Sequence, residues 1–231
     1  MSTPTRLDNG VTNVGRVSPF AAMGMLVPQK FHTWFDDFDK YTAGDWTITT
    51  TEGGAGDATE AISNADGGVL LITNDDADND ADHLQWASET FLMAAGKKAW
   101  FAIRVQTSDA TQSDIQLGLA ITDTTPLDAS DGIWFQKDDG DANVDFHVTK
   151  NGTATSSTAV TTMADATWIE LAWYYNGDDE IEVWADGAKV GTSATTNLPD
   201  DEELAITFGI VNGAAAAKTM SIDWLFVAKE R

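Results

Sequence analysis

The sequence predicts an all-β protein, an antiparallel two-sheet jelly-roll sandwich with an extended N-terminal arm. Apolar and polar residues alternate with a period of two in many short runs, which is the pattern of half-buried strands. Pairs such as Asn151-Gly152 and Asp186-Gly187 separate these runs and are typical of hairpin turns. Helical periodicity over ten or more residues is nowhere clear. Many short strands joined in this way are typical of sandwiches and jelly rolls.

The runs are long enough to assign side chains to the two faces of each strand. The run over 98–106 alternates between two sets, Trp100, Ala102 and Arg104 on one face and Phe101, Ile103 and Val105 on the other. The other strand candidates are 46–51, 69–73, 115–122, 133–136, 144–148, 168–175, 180–184, 204–211 and 220–227. Residues 88–95 are compatible with one short helical turn at most.

The chain divides into an arm, residues 1–33, and a single jelly-roll domain, residues 34–231. Residues 1–29 hold three of the five prolines and show no periodicity, so they cannot build a core of their own. They nevertheless carry apolar side chains that we expect to dock on the domain itself, on a sister copy or on a larger surface: Val11, Val14, Val17, Phe20, Met23, Met25, Leu26 and Val27. A disordered leader is the alternative.

Composition excludes several classes of function. The chain of 231 residues has no cysteine, so disulfides, thiolate metal sites and a cysteine nucleophile are absent. Its formal charge of −24 cannot neutralise phosphates, so neither nucleic acid nor an anionic membrane is expected as a partner. No apolar run approaches the roughly 20 residues of a membrane-spanning helix.

Motifs for metal binding and nucleophilic catalysis are weak. The three histidines lie far apart in the sequence, and no nucleophile-elbow or phosphate-loop motif is present. Oxygen ligands for calcium crowd one loop, namely Asp75, Asp76, Asp78, Asn79, Asp80 and Asp82. A second candidate combines Asp36, Asp37 or Asp39 with Asp223, on the first and last strands. A solvated acidic turn is the favoured interpretation of the loop, and we expect neither a metal nor a cofactor.

Aromatic and carboxylate side chains suggest one candidate functional face. If neighbouring strands pair in register, this face combines Trp134, Gln136, Trp168, Glu170, Glu182 and Trp184. The nine tryptophans of the chain favour a subunit interface or the core. Glycan binding is the second interpretation. Glycoside hydrolysis by the carboxylates of Glu170 and Glu182 is the third, because it needs two carboxylates that flank the bond.

Two hairpin segments resemble laminin-G and concanavalin A-like domains. They are WIELAWYY, from Trp168 to Tyr175, and EIEVWADG, from Glu180 to Gly187, and the closing SIDWLFV from Ser221 is similar to the last strand of that fold. The resemblance implies the jelly roll rather than a function. Glycosidases of that superfamily carry a Glu-x-Asp-x-x-Glu strand, which this sequence lacks, so a non-enzymatic protein is expected.

A second resemblance, to proteins of tailed bacteriophages including cyanophages, runs through residues 30–39, 72–82 and 197–204. It implies a capsid decoration (cement) protein, a structural protein on the outer surface of the virion. The implied partners are the major capsid protein and sister copies in a dimer or trimer, with residues 11–27 as the contact arm. The alternative is a lectin-like carbohydrate-binding module on a virion or cell surface.

Overall fold

The structure, a computed structural model, describes residues 28–231. The strands in this part of the chain are β1 (Phe31–Asp36), β2 (Trp46–Thr51), β3 (Thr59–Ser63), β4 (Val69–Thr73), β5 (Ala81–Trp86), β6 (Ala99–Thr107), β7 (Ser113–Ala120), β8 (Gly132–Lys137), β9 (Asn143–Lys150), β10 (Thr153–Thr162), β11 (Ile169–Tyr175), β12 (Glu180–Ala185), β13 (Ala188–Ala194), β14 (Ala205–Asn212) and β15 (Thr219–Glu230). Two short 3₁₀ turns, Ala43–Asp45 and Pro126–Asp128, complete the regular structure.

The strands form two antiparallel sheets, which confirms the predicted fold class. The eight-stranded sheet has the order β13-β12-β11-β6-β15-β4-β3, and β1 also pairs with β15. The seven-stranded sheet has the order β10-β9-β8-β7-β14-β5-β2. Each sheet combines consecutive hairpin strands with neighbours from distant parts of the chain, such as β6 beside β15 and β5 beside β14, as expected of a jelly roll. The first and last described strands lie side by side, as predicted.

The core lies between the inner faces of the two sheets. The predicted alternation along β6 is confirmed, since Phe101, Ile103 and Val105 are fully buried in the core. The facing sheet contributes Ile115, Leu117 and Leu119 of β7 in the same way. Burial of each such side chain stabilises the fold by about 1.5–3 kcal/mol relative to exposure.

Tight turns connect the hairpins where the sequence predicts them. Asn151 and Gly152 have φ of 50° and 72° between β9 and β10, and Asp186 and Gly187 have φ of 47° and 73° between β12 and β13. Positive φ at both central residues is the requirement of a type I′ turn, whose twist matches that of the strands.

Three sequence-based expectations need correction or lie outside the described residues. β1 begins at Phe31, so residues 31–33 belong to the sheet rather than to the arm. No helical turn forms over 88–95, where Phe91 instead makes an isolated bridge to Leu204. The predicted contact residues of the arm, 11–27, lie outside the described part. Within 28–231, no helix has the length and apolar character needed to cross a membrane.

Candidate functional site

The structure divides the predicted aromatic and carboxylate face between the two sheets. Trp168, Glu170, Glu182 and Trp184 lie on the outer face of the eight-stranded sheet, which is the face turned away from the core. Trp134 and Gln136 lie on the outer face of the seven-stranded sheet. The expectation of one shared surface was therefore wrong. Alternation assigns a side chain to a face of its own strand, whereas the sheet that the strand joins depends on long-range pairing.

Glu170 and Glu182 do not form a catalytic pair. Glu182 of β12 lies opposite Tyr174 of β11. Glu170 lies four residues before Tyr174 on β11, opposite Arg104 of β6. Four residues of extended strand span about 13 Å. This separation exceeds the roughly 5–9.5 Å of glycosidase carboxylates.

Aromatic side chains cover much of the outer face of the eight-stranded sheet. This aromatic surface consists of Phe31, Phe35, Trp100, Tyr174, Trp224 and Phe226. Phe35 is 60% exposed, which is unusual for a phenylalanine. An open cavity of about 520 Å³ is lined by Phe35, Asp37, Trp224 and Phe226. An exposed apolar surface of this kind is typical of a contact site.

Several charged groups beside the aromatic surface are paired with one another. The guanidinium of Arg104 forms an ion pair with Asp223 and lies 4.7 Å from the centre of the Trp168 ring. Lys189 pairs with Glu180 and Glu182 at 3.2 and 3.0 Å. Since Asp223 is engaged by Arg104, the structure gives no support to its predicted role in a cation site with the first strand.

Polar side chains line the outer face of the seven-stranded sheet, and we call this surface the polar face. Its residues in β5, β7, β8, β9 and β14 are His83, Gln85, Asp114, Gln116, Trp134, Gln136, Asp145, His147, Thr149 and Thr207. Gln116, Gln136 and Asp145 stand opposite one another on three adjacent strands. This row therefore places two amides and a carboxylate side by side.

Trp134 lies flat against the polar face because its neighbours are glycines. A Cβ atom at Gly132 would come within 2.8 Å of the Trp134 ring, and one at Gly118 would come within 2.6 Å of Trp134 Cβ. The indole stacks on His147, with centroids 5.8 Å apart and planes 20° apart. Its Nε1 donates to Gln136 Oε1 at 2.9 Å, and Gln136 Nε2 donates to Asp138 Oδ1 at 2.7 Å. The ring is thereby fixed in one orientation.

Several polar atoms of this face have no partner. In the described part of the chain, eight buried side-chain polar atoms lack a hydrogen bond, and four of these belong to the polar face: His83 Nε2, Gln116 Oε1, His147 Nε2 and Thr149 Oγ1. A buried polar atom without a partner costs about 1–3 kcal/mol. All four atoms are shielded from solvent, so the described side chains of this face leave part of their hydrogen-bonding capacity unused.

Burial keeps both histidines of the polar face neutral at pH 7. It lowers the pKa of His83 to about 4. Burial also lowers the pKa of His147, against the opposing effect of Asp145 and Asp138. His147 Nδ1 lies 2.9 Å from Ser156 Oγ, which leaves Nε2 for another partner. On the same face, burial raises the pKa of Asp114.

The loop 121–131 lies over part of the polar face. Gln85 Nε2 donates to the Ile121 carbonyl at 2.9 Å, and Gln116 Nε2 donates to the Pro126 carbonyl at 2.7 Å. At the other edge of the face, a cavity of about 180 Å³ is lined by Asp138, Asp141, Asn143, Asp145, Thr158 and Ala159. Asp138 lines this cavity and also accepts a hydrogen bond from Gln136. The cavity therefore lies at the end of the series of hydrogen bonds that runs from Trp134 through Gln136 to Asp138.

The acidic loop considered for calcium brings only part of its carboxylates together. Carboxylate oxygens of Asp75 and Asp80 lie within 4.8 Å of each other and of Glu52, which the sequence analysis missed. The Asp80 carboxylate accepts hydrogen bonds from the amides of Gly53 and Ala77, at 2.6 and 2.9 Å. These contacts join the loop to the segment after β2, so Asp80 has a structural role without an ion.

Sequence reasoning identified Trp134 and Gln136 but not the residues that complete their site. His147 is half-buried and stacked on Trp134, a contact that the sequence does not reveal. Gln116 and Asp145 carried no signal beyond alternation. The exposed turn glycines and the buried Gly118 and Gly132 look alike in a sequence, and only strand pairing shows that the latter two make room for an indole.

The fold is a concanavalin A-like jelly roll, and solved structures with this fold include a carbohydrate recognition domain and an endo-glucanase. The chain belongs to the SO2946-like family, whose C-terminal domain model matches residues 65–223. Among curated proteins, no match to the chain is found.

Solved structures share the fold at low sequence identity. The protein of unknown function SO2946 from Shewanella oneidensis MR-1 is 16% identical, with a TM-score of 0.60 over 95% of this chain and 97% of that chain. An endo-1,3-β-glucanase from Streptomyces sioyaensis is 13% identical, with a TM-score of 0.62 over 88% of this chain and 98% of that chain. The potassium-bound carbohydrate recognition domain of Emp46p is 10% identical, with a TM-score of 0.55 over 83% and 93% of the two chains.

The expectation of a non-enzymatic protein is contradicted by these comparisons. One of the similar structures is an endo-1,3-β-glucanase that matches along almost its whole length. The absence of a Glu-x-Asp-x-x-Glu strand was therefore too weak a reason to exclude catalysis. At identities of 10–16%, the likeness establishes the fold, and the activity has to be argued from the site.

Proposed function

We propose that the protein binds a carbohydrate chain on the polar face of its seven-stranded sheet. The observation that carries this proposal is the arrangement of Trp134, held flat by two glycines, beside the row of Gln116, Gln136 and Asp145. Gln136 and Asp145 are partly exposed and can meet the hydroxyl groups of a sugar, whereas the Trp134 ring, only 4% exposed, fixes the orientation of Gln136. The names of two similar structures, a glucanase and a carbohydrate recognition domain, support the same class of ligand.

The unpartnered atoms of the polar face match the chemistry of a sugar. Gln116 Oε1 can only accept a hydrogen bond, whereas the hydroxyl of Thr149 can donate or accept one. The neutral His147 Nε2 donates or accepts according to the tautomer of the ring. A sugar hydroxyl both donates and accepts, so it can pair with any of them. These atoms lie beneath the surface, so the partly exposed Gln136 and Asp145 make the first contacts with a ligand that has several hydroxyl groups.

Calorimetric titration with oligosaccharides tests the proposal. Hexasaccharides of β-1,3-linked and β-1,4-linked glucose and a broader glycan array are the probes. Trp134→Ala removes the ring that orients Gln136 and His147 and is expected to weaken binding at least tenfold. Trp168→Ala, on the outer face of the other sheet, is the matched control and should leave the affinity unchanged. Equal losses in both variants, or no binding by the unaltered protein, would contradict the proposal.

Catalysis at the same site is the second candidate function, and Asp114 is the residue that favours it. Its carboxyl projects from the polar face, and burial raises its pKa, as a general acid requires. The test is release of shorter products from the bound oligosaccharide. We expect Asp114→Asn to abolish turnover while binding is kept. Turnover that persists in this variant would exclude Asp114 as the acid.

A separate proposal concerns protein partners. In it, the protein associates with sister copies and with a major capsid protein on the outer surface of a virion. What supports a protein contact is the aromatic surface, with its exposed Phe35. Mixing the protein with expanded, undecorated capsids tests the capsid partner. Stoichiometric binding that is lost on deletion of residues 1–28 is the expected result, and the absence of binding would remove this interpretation.

A further inference from the structure

We infer that the glycan site selects neutral sugar chains and rejects chains of uronic acids. This inference rests on the proposed function and specifies the class of ligand. It follows from the distribution of charged side chains around the polar face, where the described residues provide several carboxylates and no cation.

Both cations on the strands of the seven-stranded sheet are turned away from the polar face. Lys137 follows the inner-facing Ile133 and Phe135 in the alternation of β8, and it is only 1% exposed. Its Nζ donates to the Ser113 carbonyl. Lys150 has the parity of the inner-facing Val148 on β9, and it pairs with Asp200 and Asp201 at the end of the strand. Neither can meet a ligand carboxylate on the polar face.

The borders of the polar face add negative charge. The loop 121–131, which lies over the face, contains Asp123, Asp128 and Asp131 but neither lysine nor arginine. The turn after β8 contributes three further aspartates within 138–141. Asp114 and Asp145 project from the face itself. A uronate carboxylate bound here would have only like charges as charged neighbours.

The histidines do not compensate for these charges. His83 and His147 are neutral at pH 7 because burial disfavours their charged forms. In a partly desolvated site, repulsion between carboxylates is less screened than in bulk water. A neutral sugar avoids this penalty and still finds hydrogen-bonding partners in the partly exposed Gln136 and Asp145.

A matched pair of ligands tests the inference. The β-1,4-linked hexasaccharides of glucose and of glucuronic acid differ only at C6, where a hydroxymethyl group is replaced by a carboxylate. At pH 7 and low salt, we expect the glucose chain to bind at least tenfold more tightly. The ratio should shrink in about 0.5 M NaCl, because salt screens the repulsion.

Asp145→Asn removes one of the repelling charges and should lower the preference for the glucose chain at least threefold. Asp37→Asn, beside the aromatic surface on the opposite sheet, is the control and should leave the preference unchanged. Binding of the glucuronic acid chain as tightly as the glucose chain would overturn the inference and leave the proposed function standing. If neither chain binds, and no other glycan does, both are overturned.

Discussion

Individual residues of the polar face differ in how completely their polar atoms are hydrogen-bonded. Thr149 and Thr207 are both buried on this face, yet their hydroxyl groups differ. Thr207 Oγ1 accepts from Gln85 Nε2 at 3.2 Å and donates to the Ala205 carbonyl at 3.3 Å. Thr149 Oγ1 has no partner within the described residues. The hydroxyl of Thr207 therefore contributes hydrogen bonds to the fold, whereas the hydroxyl of Thr149 contributes none within the described residues.

The pair of threonines provides a direct test at the residue scale. Thr149→Val removes an unpaired buried hydroxyl and should leave the free protein equally stable or stabilise it by about 1 kcal/mol, while glycan affinity falls. Thr207→Val breaks existing hydrogen bonds and should destabilise the protein by about 1–2 kcal/mol. Urea unfolding and calorimetric titration measure the two effects. A clear loss of stability in Thr149→Val would show that its hydroxyl serves the fold.

A buried carboxyl makes stability depend on pH. Asp82 is fully buried on the inner side of β5, and burial together with the neighbouring Glu60 raises its pKa well above the usual 3.8. The folded protein holds this proton more tightly than the unfolded chain, so the associated stability is present below about pH 4 and is lost as pH rises. We expect Asp82→Asn to stabilise the protein at pH 7 by on the order of 1 kcal/mol or more.

Unfolding of Asp82→Asn and of the unaltered protein between pH 4 and pH 8 measures this effect. The two stability curves should converge towards the acid end. A constant difference across the range would mean that Asp82 does not titrate in the folded state as described.

At the scale of strands and turns, features that depend on residues close in sequence could be predicted, whereas the pairing of strands distant in sequence could not. The alternation of β6 and β7 and the turn at Asn151-Gly152 depend on neighbours in sequence, and the structure confirms them. The pairing of β8 with β7, and of β11 with β6, depends on contacts across the whole chain. The sequence therefore predicted the facing of Trp134 correctly but placed it on the wrong surface.

The hairpin between β9 and β10 supplies a test at this scale. Gly152 has φ of 72°, so Gly152→Ala should destabilise the protein by about 1 kcal/mol because an L side chain is strained there. Gly191 in β13 has open space around it, since a Cβ atom there would have only Val160 Cγ1 nearby, at 4.0 Å, and Gly191→Ala should have no such cost. Thermal unfolding of both variants makes the comparison, and equal behaviour would contradict the assigned turn.

Across the whole molecule, the two outer faces offer different chemistry. One is polar and bordered by aspartates, whereas the other carries the aromatic surface and the paired cations Arg104 and Lys189. Glycan binding and protein contact can therefore occupy opposite sides of one sandwich without competing. The net charge of −24 opposes self-association through long-range repulsion, which salt screens.

Self-association is accordingly expected to increase with salt and to depend on the aromatic surface. Phe35→Ser should shift the protein towards the monomer, whereas Thr47→Ser on the opposite face should not. Sedimentation velocity at about 0.05 and 0.5 M NaCl measures the distribution. A monomer under both conditions would exclude a contact between sister copies through this surface.

The decisive test of a glycan site on the polar face is a crystal structure with a bound β-linked glucose oligosaccharide. We expect a sugar on the polar face beside Trp134, with hydroxyl groups within hydrogen-bonding distance of the Gln136 and Asp145 side chains. A sugar bound instead on the aromatic surface, with the polar face occupied only by water, would contradict this assignment.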